Sequence, residues 1–321
     1  MFKLIGRNIR SMTLRYKHSD LKMNREFKEV EIKVPWGKIS GKLWGPENVP
    51  PILAIHGWQD NAGSFDPLAE CLPENISLLA IDLPGHGYSS WIPKGMPYSP
   101  IIYLQTIERV KKYYGMDKIG LIGHSLGGMV TFNYTSLYPE NVKYVVAFDY
   151  FKYPSFNPDR HFTLFTKEFD EFFKMENWSD DKLPPSYTET DAISRWIAST
   201  NKSLDENMCK ILMTRGVTKI HDNGNVYFHR DPRVKLFLAN TGLSHEQLRH
   251  MAARITCPYM IIKGEQSRYN ERREFYYDLL KVIENYSSDF KFYTCIGTHH
   301  FHMSSPRTVA DFITPFLNKY N

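Results

Sequence analysis

Apolar and polar residues alternate along Phe27–Trp36 and Lys38–Trp44, on either side of Trp36-Gly37. This period of two predicts an antiparallel hairpin. Further along, alternation gives way to short continuous apolar runs at Pro51–His56 and Leu78–Asp82, and to buried-strand patterns at Lys118–Gly123 and Val142–Phe148. Such runs predict strands covered on both faces, as in a parallel sheet. Helical spacings lie between them: Tyr103–Tyr114 aligns Leu104, Ile107, Val110 and Tyr114, and Gly127–Leu137 predicts a helix that ends before Pro139. From Asp149 to about Gly242 the rhythm breaks. This stretch has no strong buried-strand run, is rich in Phe and Tyr, contains Pro184-Pro185, and predicts a mostly helical insertion. A helix restarts at Ser244, where Ser244 and Gln247 have the spacing of a capping box. Tyr259–Lys263 and Phe290–Ile296 predict further strands around a helix over Glu271–Glu284, and Pro306–Leu317 predicts a closing helix. The whole reads as α/β: a parallel sheet with helices on both faces.

Charge placement sharpens this picture. The 321 residues carry 40 Lys and Arg against 35 Asp and Glu, a net charge of +5. Lys3, Arg7, Arg10, Arg15 and Lys17 all precede the first acid, Asp20, so the chain beyond them is neutral. A neutral body lacks the clustered cations that phosphate backbones require, which excludes nucleic acid as a partner. The basic, acid-free start, with Phe2, Leu4, Ile5, Ile9 and Met12 among its charges, fits a mitochondrial presequence or a solvated terminus. No apolar run of about 18 residues is present to span a bilayer. Cys71, Cys209, Cys257 and Cys295 show no paired spacing, which predicts reduced, packed thiols in an intracellular protein, cytoplasmic or mitochondrial. The division expected is a basic leader over residues 1–21, an α/β core over 22–150 and 244–321, and a helical cap over 151–243.

In parallel sheets, chemistry gathers beyond the carboxyl ends of the strands. Those ends carry His56-Gly57-Trp58-Gln59-Asp60, Asp82-Leu83-Pro84-Gly85-His86-Gly87, Gly123-His124-Ser125-Leu126-Gly127-Gly128, Asp149, and Gly297-Thr298-His299. One Ser, one Asp and one His therefore stand at strand ends. Gly123-x-Ser125-x-Gly127, set between a buried strand and a helical pattern, fits a nucleophile elbow. There the backbone turns sharply, Cβ atoms two residues either side would crowd it, and the hydroxyl sits at a helix N-terminus that favours developing negative charge.

On these segments, with Asn61-Ala62-Gly63-Ser64-Phe65, Tyr227-Phe228-His229-Arg230-Asp231 and His299-His300-Phe301-His302-Met303, the chain resembles the α/β-hydrolase superfamily over roughly residues 25–320. Within it, the chain is similar to the animal serine hydrolase-like (kraken-type) proteins. The resemblance implies a mostly parallel eight-stranded sheet, with the cap inserted after the sixth strand as a lid over Ser125. His299, in the loop after the last strand and seven residues before Pro306, corresponds to the superfamily's catalytic histidine. The acid departs from the common pattern. Many relatives hold it in a Gly-x-x-Asp turn after the seventh strand; here that turn is Gly264-Glu265-Gln266-Ser267. Asp149, which ends an otherwise apolar strand, is favoured, since a carboxylate there needs a partner; Glu265 is the alternative acid. Either keeps the Ser…Asp/Glu…His order. Backbone N–H groups of Trp58 and Leu126 are expected to form the oxyanion hole, leaving the Trp58 ring free to line an acyl pocket.

His300 and His302 raise a metal reading, set aside because no carboxylate or thiolate pattern along the chain completes a ligand set. No metal and no organic cofactor are expected. His56 and His86 are read as holding backbone, His124 as packing, and Arg230-Asp231 as an ion pair. The aromatic residues Tyr150, Phe151, Tyr153, Phe156, Phe162, Phe165, Phe169, Phe172 and Phe173 predict an apolar or aromatic acyl substrate where they face the site, although most are expected to pack the cap onto the core. The function expected is a serine hydrolase of esterase type. Carbon–carbon bond hydrolysis on the same triad and a non-catalytic ligand-binding homologue are the alternatives.

Overall fold

Short, mainly apolar runs become the centre of a sheet, and alternating ones its margin. In the computed structural model, which describes residues 24–155, 158–176, 184–220, 224–236 and 242–321, β1 (Phe27–Val34) and β2 (Gly37–Trp44) form the antiparallel hairpin, with Val34 opposite Gly37. The leader and Phe156 lie outside the described residues. β3 (Ile52–Ile55), β4 (Leu78–Ile81), β5 (Ile119–His124) and β6 (Val142–Phe148) follow. The main sheet has eight strands in the order β1-β2-β4-β3-β5-β6-β9-β10, closed by β9 (Tyr259–Gly264) and β10 (Phe290–Cys295). β2 pairs antiparallel with β4, and every pair from β4 to β10 is parallel.

Successive residues of the central strands enter two different cores. Tyr259 and Ile261 of β9 point into one, Met260 and Ile262 into the other; Val145 and Ala147 of β6 likewise oppose Tyr144, Val146 and Phe148. Each such buried aliphatic or aromatic side chain contributes about 1.5–3 kcal/mol, which is why these strands tolerate so few polar residues. The first face is covered by α2 (Pro100–Tyr113), α3 (Leu126–Leu137), α7 (His245–Ala252) and α8 (Arg273–Tyr286). The second is covered by α1 (Asp66–Ala69), α9 (Phe301–Ser304) and α10 (Pro306–Tyr320). The Ser244–Gln247 capping box opens α7 as expected. All four cysteines are buried and unpaired.

Between β6 and α7 lie α4 (Pro158–Glu176), α5 (Glu189–Ser199) and α6 (Glu206–Gly216). This stretch is not wholly helical: β7 (Val217–Lys219) and β8 (Val226–Phe228) pair antiparallel, segments too short to give a sequence period. It has its own core of Trp196, Leu204, Met208, Cys209, Leu212 and Val226. Buried charge ties it to the sheet. Arg215 of α6 donates to Asp82 after β4 at 2.7 and 3.0 Å, and Asn61 Nδ2 donates to the Leu212 carbonyl at 2.8 Å. Among the described residues, no helix is long and apolar enough to cross a membrane.

Strand order reverses direction at β3, flanked by β4 on one side and β5 on the other. The crevice beyond the carboxyl ends of β3 and β5 is therefore the place where this topology leaves room for a ligand.

Candidate active site

β5 ends at His124, and the backbone must turn at once for α3 to pack against the sheet. Ser125 makes that turn at φ 53°, ψ −112°, outside the regions an L-residue ordinarily occupies, a strain of about 1–3 kcal/mol. Its N–H donates to the Phe148 carbonyl at 3.1 Å, and the Gly127 N–H donates to the His56 carbonyl at 3.1 Å. The flanking glycines permit this. A Cβ on Gly127 would overlap the Ile55 carbonyl, and one on Gly123 would run into the Gly127–Gly128 peptide.

The hydroxyl is directed at the far end of the chain. Ser125 Oγ lies 2.8 Å from His299 Nε2, and His299 Nδ1 is bonded to Asp149 Oδ2. His299 follows β10 and a turn at Gly297; its ring also contacts Tyr150 and His124. Asp149 ends β6 with φ 68° and is fully buried. Its carboxylate accepts from Lys263 Nζ at 2.5 Å, the Gly264 N–H at 3.3 Å and the Ser267 hydroxyl at 2.6 Å, in addition to the imidazole. Burial alone would push this carboxyl up. The adjoining His299 and Lys263 outweigh it and hold it down at about 2, so Asp149 is an anion at neutral pH.

Of the two acids considered, the fold brings only Asp149 to the imidazole. Glu265 is exposed and accepts from Thr294 Oγ1 at 3.0 Å, because the β9 turn aims position 265 outward and position 267 inward. The position where many relatives hold their acid is thus Ser267, whose hydroxyl donates to the acid of β6. Sequence reasoning missed Ser267 and Lys263 as members of this cluster. A signal was available: Lys263 is the one charge in the apolar strand Tyr259–Gly264, and a buried lysine calls for a buried anion.

Leu126 is the first residue of α3, and Trp58 follows the end of β3. Within the described residues, neither backbone N–H donates a hydrogen bond, so both remain available at adjacent strand ends. The Trp58 ring is not free: its Nε1 donates to the Val234 carbonyl at 2.7 Å while 42% of the residue is exposed. His56 and His86 hold backbone as expected, their Nε2 atoms accepting from Leu83 N–H at 2.9 Å and Gln59 N–H at 3.3 Å. One expectation is corrected: Asp231 pairs with Arg233 at 2.7 Å, whereas Arg230 lies over the Phe228 ring. Asp231 caps the 3-10 turn Pro232–Lys235, which brings Arg233 round to it.

The aromatic residues divide. Phe151 and Tyr153 are buried in the core, while Phe162, Phe165, Phe169 and Phe173 are exposed along one side of α4. Phe165, Phe169, Phe172 and Phe173, with Pro97, Leu236 and the buried Glu168, line a groove of about 290 Å³.

A profile of the alpha/beta hydrolase fold matches residues 50–198. A probable serine hydrolase of Drosophila melanogaster is 34% identical over 297 residues, covering 91% of this chain and 88% of that protein. The chain belongs to the α/β-hydrolase family. Within it, the serine hydrolase-like proteins are its relatives: one from Danio rerio is 30% identical, covering 92% of this chain and 90% of that protein. A solved structure of a hypothetical protein from Pseudomonas aeruginosa PAO1 shares the fold, with a TM-score of 0.77 at 23% identity, over 90% of this α/β-hydrolase and 99% of that chain.

Proposed function

We propose that this α/β-hydrolase is a serine esterase acting through an acyl-enzyme on Ser125. The carrying observation is the continuous contact from Ser125 Oγ through both nitrogens of His299 to the buried Asp149 carboxylate. Ser125 attacks the acyl carbonyl as His299 Nε2 takes its proton. Asp149 orients the ring and offsets the imidazolium charge. The free N–H groups of Trp58 and Leu126 receive the oxyanion; such a donor is worth about 10²- to 10³-fold in turnover. The imidazolium then protonates the leaving alcohol, and water, deprotonated by the same histidine, releases the acid. In this reading residues 151–243 form a lid, and the groove along α4 receives the apolar acyl group. Its approach to the site is supported by Trp58, whose indole bonds to Val234, two residues before groove-lining Leu236.

A fluorophosphonate probe tests the assignment: the protein should be labelled, and Ser125→Ala should not. Equal labelling of both would move the nucleophile to another residue, and an unlabelled parent protein would leave a ligand-binding homologue. A series of p-nitrophenyl esters of rising acyl length measures the groove's contribution.

A further inference from the structure

Four histidine rings crowd behind the serine, and the proposed reaction uses one. His124 lies with its ring centroid 4.1 Å from His302, 4.7 Å from His299 and 4.9 Å from His300. Asp60, from the turn after β3, reaches into this group. Its Oδ2 is 3.6 Å from His124 Nδ1 and 3.3 Å from His300 Nε2, and all three residues are buried. The chain offered no carboxylate near these histidines. The fold supplies one from 240 residues away.

The proton inventory of the group is incomplete. His124 Nε2 lies 3.0 Å from the His299 carbonyl oxygen, which only accepts, so Nε2 carries the hydrogen. Nδ1 then presents a lone pair to the Asp60 carboxylate, and among the described residues it has no hydrogen-bond partner. Two acceptors face each other in a buried site, an arrangement that a cation between them satisfies. His300 Nδ1 is 2.8 Å from Ser203 Oγ and its Nε2 is 3.3 Å from Asp60 Oδ2; in the tautomer that donates Nδ1–H to the hydroxyl, Nε2 presents its lone pair to that carboxylate. Imidazoles that bind metals commonly donate their other N–H to a carbonyl or similar acceptor, and both rings have such a partner.

We propose that Asp60 Oδ2, His124 Nδ1 and His300 Nε2 bind one divalent transition-metal ion of the zinc class. The ligand atoms all lie within 4.8 Å of one another; a tetrahedral ion about 2.0–2.2 Å from each needs them about 3.4 Å apart, which Asp60 Oδ2 already meets at 3.6 and 3.3 Å, so the two imidazoles turn inward to complete the shell. Two imidazoles and one carboxylate select zinc-like ions over magnesium or calcium. The ion's role is positional. His124 immediately precedes Ser125, and His300 immediately follows His299, so the ion fastens together the two segments that carry the proposed nucleophile and base, with the β3 turn as the third point.

The experiment uses the full chain, stripped with a chelator and dialysed against Zn²⁺, with bound metal measured per chain and folding followed by thermal melting. The expected result is one zinc per chain and a raised melting midpoint, with affinity lowered tenfold or more in Asp60→Asn and in His300→Gln. Even second-sphere substitutions around metal sites lose about 10- to 100-fold. Failure to retain zinc above a buffer control, or equal retention by both folded variants, overturns the site and leaves a proton-bridged acid–imidazole cluster. Should the variants not fold, X-ray absorption at the zinc edge of the parent protein decides. A shell of two imidazoles and one carboxylate sustains the site, whereas sulfur ligands from the cysteines, or oxygen alone, overturn it.

Discussion

Asp149→Asn alters one atom in a crowded place, and its neighbours dictate how the amide must lie. Oδ1 faces the Lys263 ammonium at 2.5 Å and the Gly264 N–H at 3.3 Å, both of which only donate. The amide oxygen is therefore held on that side, and the NH₂ group turns towards His299 and Ser267. Facing a donor, His299 must accept at Nδ1 and carry its hydrogen on Nε2, where it can no longer take the Ser125 proton. Forcing the wrong tautomer in a triad costs about 10⁴ in turnover, or roughly 5.5 kcal/mol of barrier. In a p-nitrophenyl acetate assay kcat should fall by that order with little change in KM, and fluorophosphonate labelling should slow in proportion; a melting curve checks that the variant is folded. Glu265→Gln should leave kcat within about twofold, because that side chain is exposed and bonded to Thr294. A carboxylate at position 267 offers a rescue. Ser267 Oγ stands 2.6 Å from the Asp149 oxygen that meets the imidazole, so Ser267→Asp in the Asp149→Asn background should recover about 10- to 100-fold. Retention of more than about a tenth of parental turnover by Asp149→Asn, or loss through Glu265→Gln instead, would refute this reasoning.

Three further outcomes follow from named contacts. Arg215 and Asp82 are a buried pair, with side chains 3% and 0% exposed, so Arg215→Met leaves an unpaired carboxylate; urea titration should register about 3–5 kcal/mol of lost stability, and a loss under about 1 kcal/mol would mean that water reaches Asp82. His56 and His86 are fully buried, and burial lowers both, His86 to about 3. Between those depressed values and the unfolded value of about 6.5 the unfolded chain binds more protons, so stability rises with pH and is lost on acidification, approaching about 1.4 kcal/mol per pH unit for each histidine. Urea midpoints compared between about pH 7 and pH 5 should show this slope, and a flat profile would mean that the folded state takes up the same protons. Phe169→Glu removes an aromatic wall of the α4 groove and adds a second carboxylate beside Glu168; it should raise KM for long-chain p-nitrophenyl esters about tenfold while leaving acetate unchanged, whereas an equal effect on both would detach the groove from acyl binding.

Much of this architecture was legible because burial on both faces leaves a simple trace. β3, β4, β5, β6 and β9 each coincide with a short apolar run, interrupted by one lysine in β6 and one in β9, and the Ser244–Gln247 cap marks the start of α7. The sharp turn at Ser125 was legible for a local reason: its steric demands fall within five consecutive positions, so glycine spacing records them. The insertion was only partly legible. β7 and β8 are three residues each, below the length at which a period of two can be told from chance. The Arg230-Asp231 pairing failed because adjacency in sequence says little about which of two neighbouring arginines a turn will carry back to the carboxylate.

What stayed hidden is what folding assembles from distant segments. Asp149 could be suspected from one strand alone, as a charge closing an apolar run. Its partners Lys263 and Ser267 come from the neighbouring strand and turn, more than 110 residues later, and acquire meaning only once β6 lies beside β9. Asp60 and His300 are separated by 240 residues, and each alone looks like an ordinary loop residue. The same reasoning explains how the acid can stand on β6 in a chain whose β9 turn carries Ser267. An imidazole responds to where negative charge lies, not to which strand supplies it. The ends of β6 and β9 deliver side chains to one spot, so a carboxylate from either strand can reach the imidazole, and here the β9 turn contributes a hydroxyl that bonds to it. Lys263 is buried beside that anion and, with the Gly264 N–H, the Ser267 hydroxyl and the His299 ring, makes Asp149 the most heavily bonded carboxylate of the site.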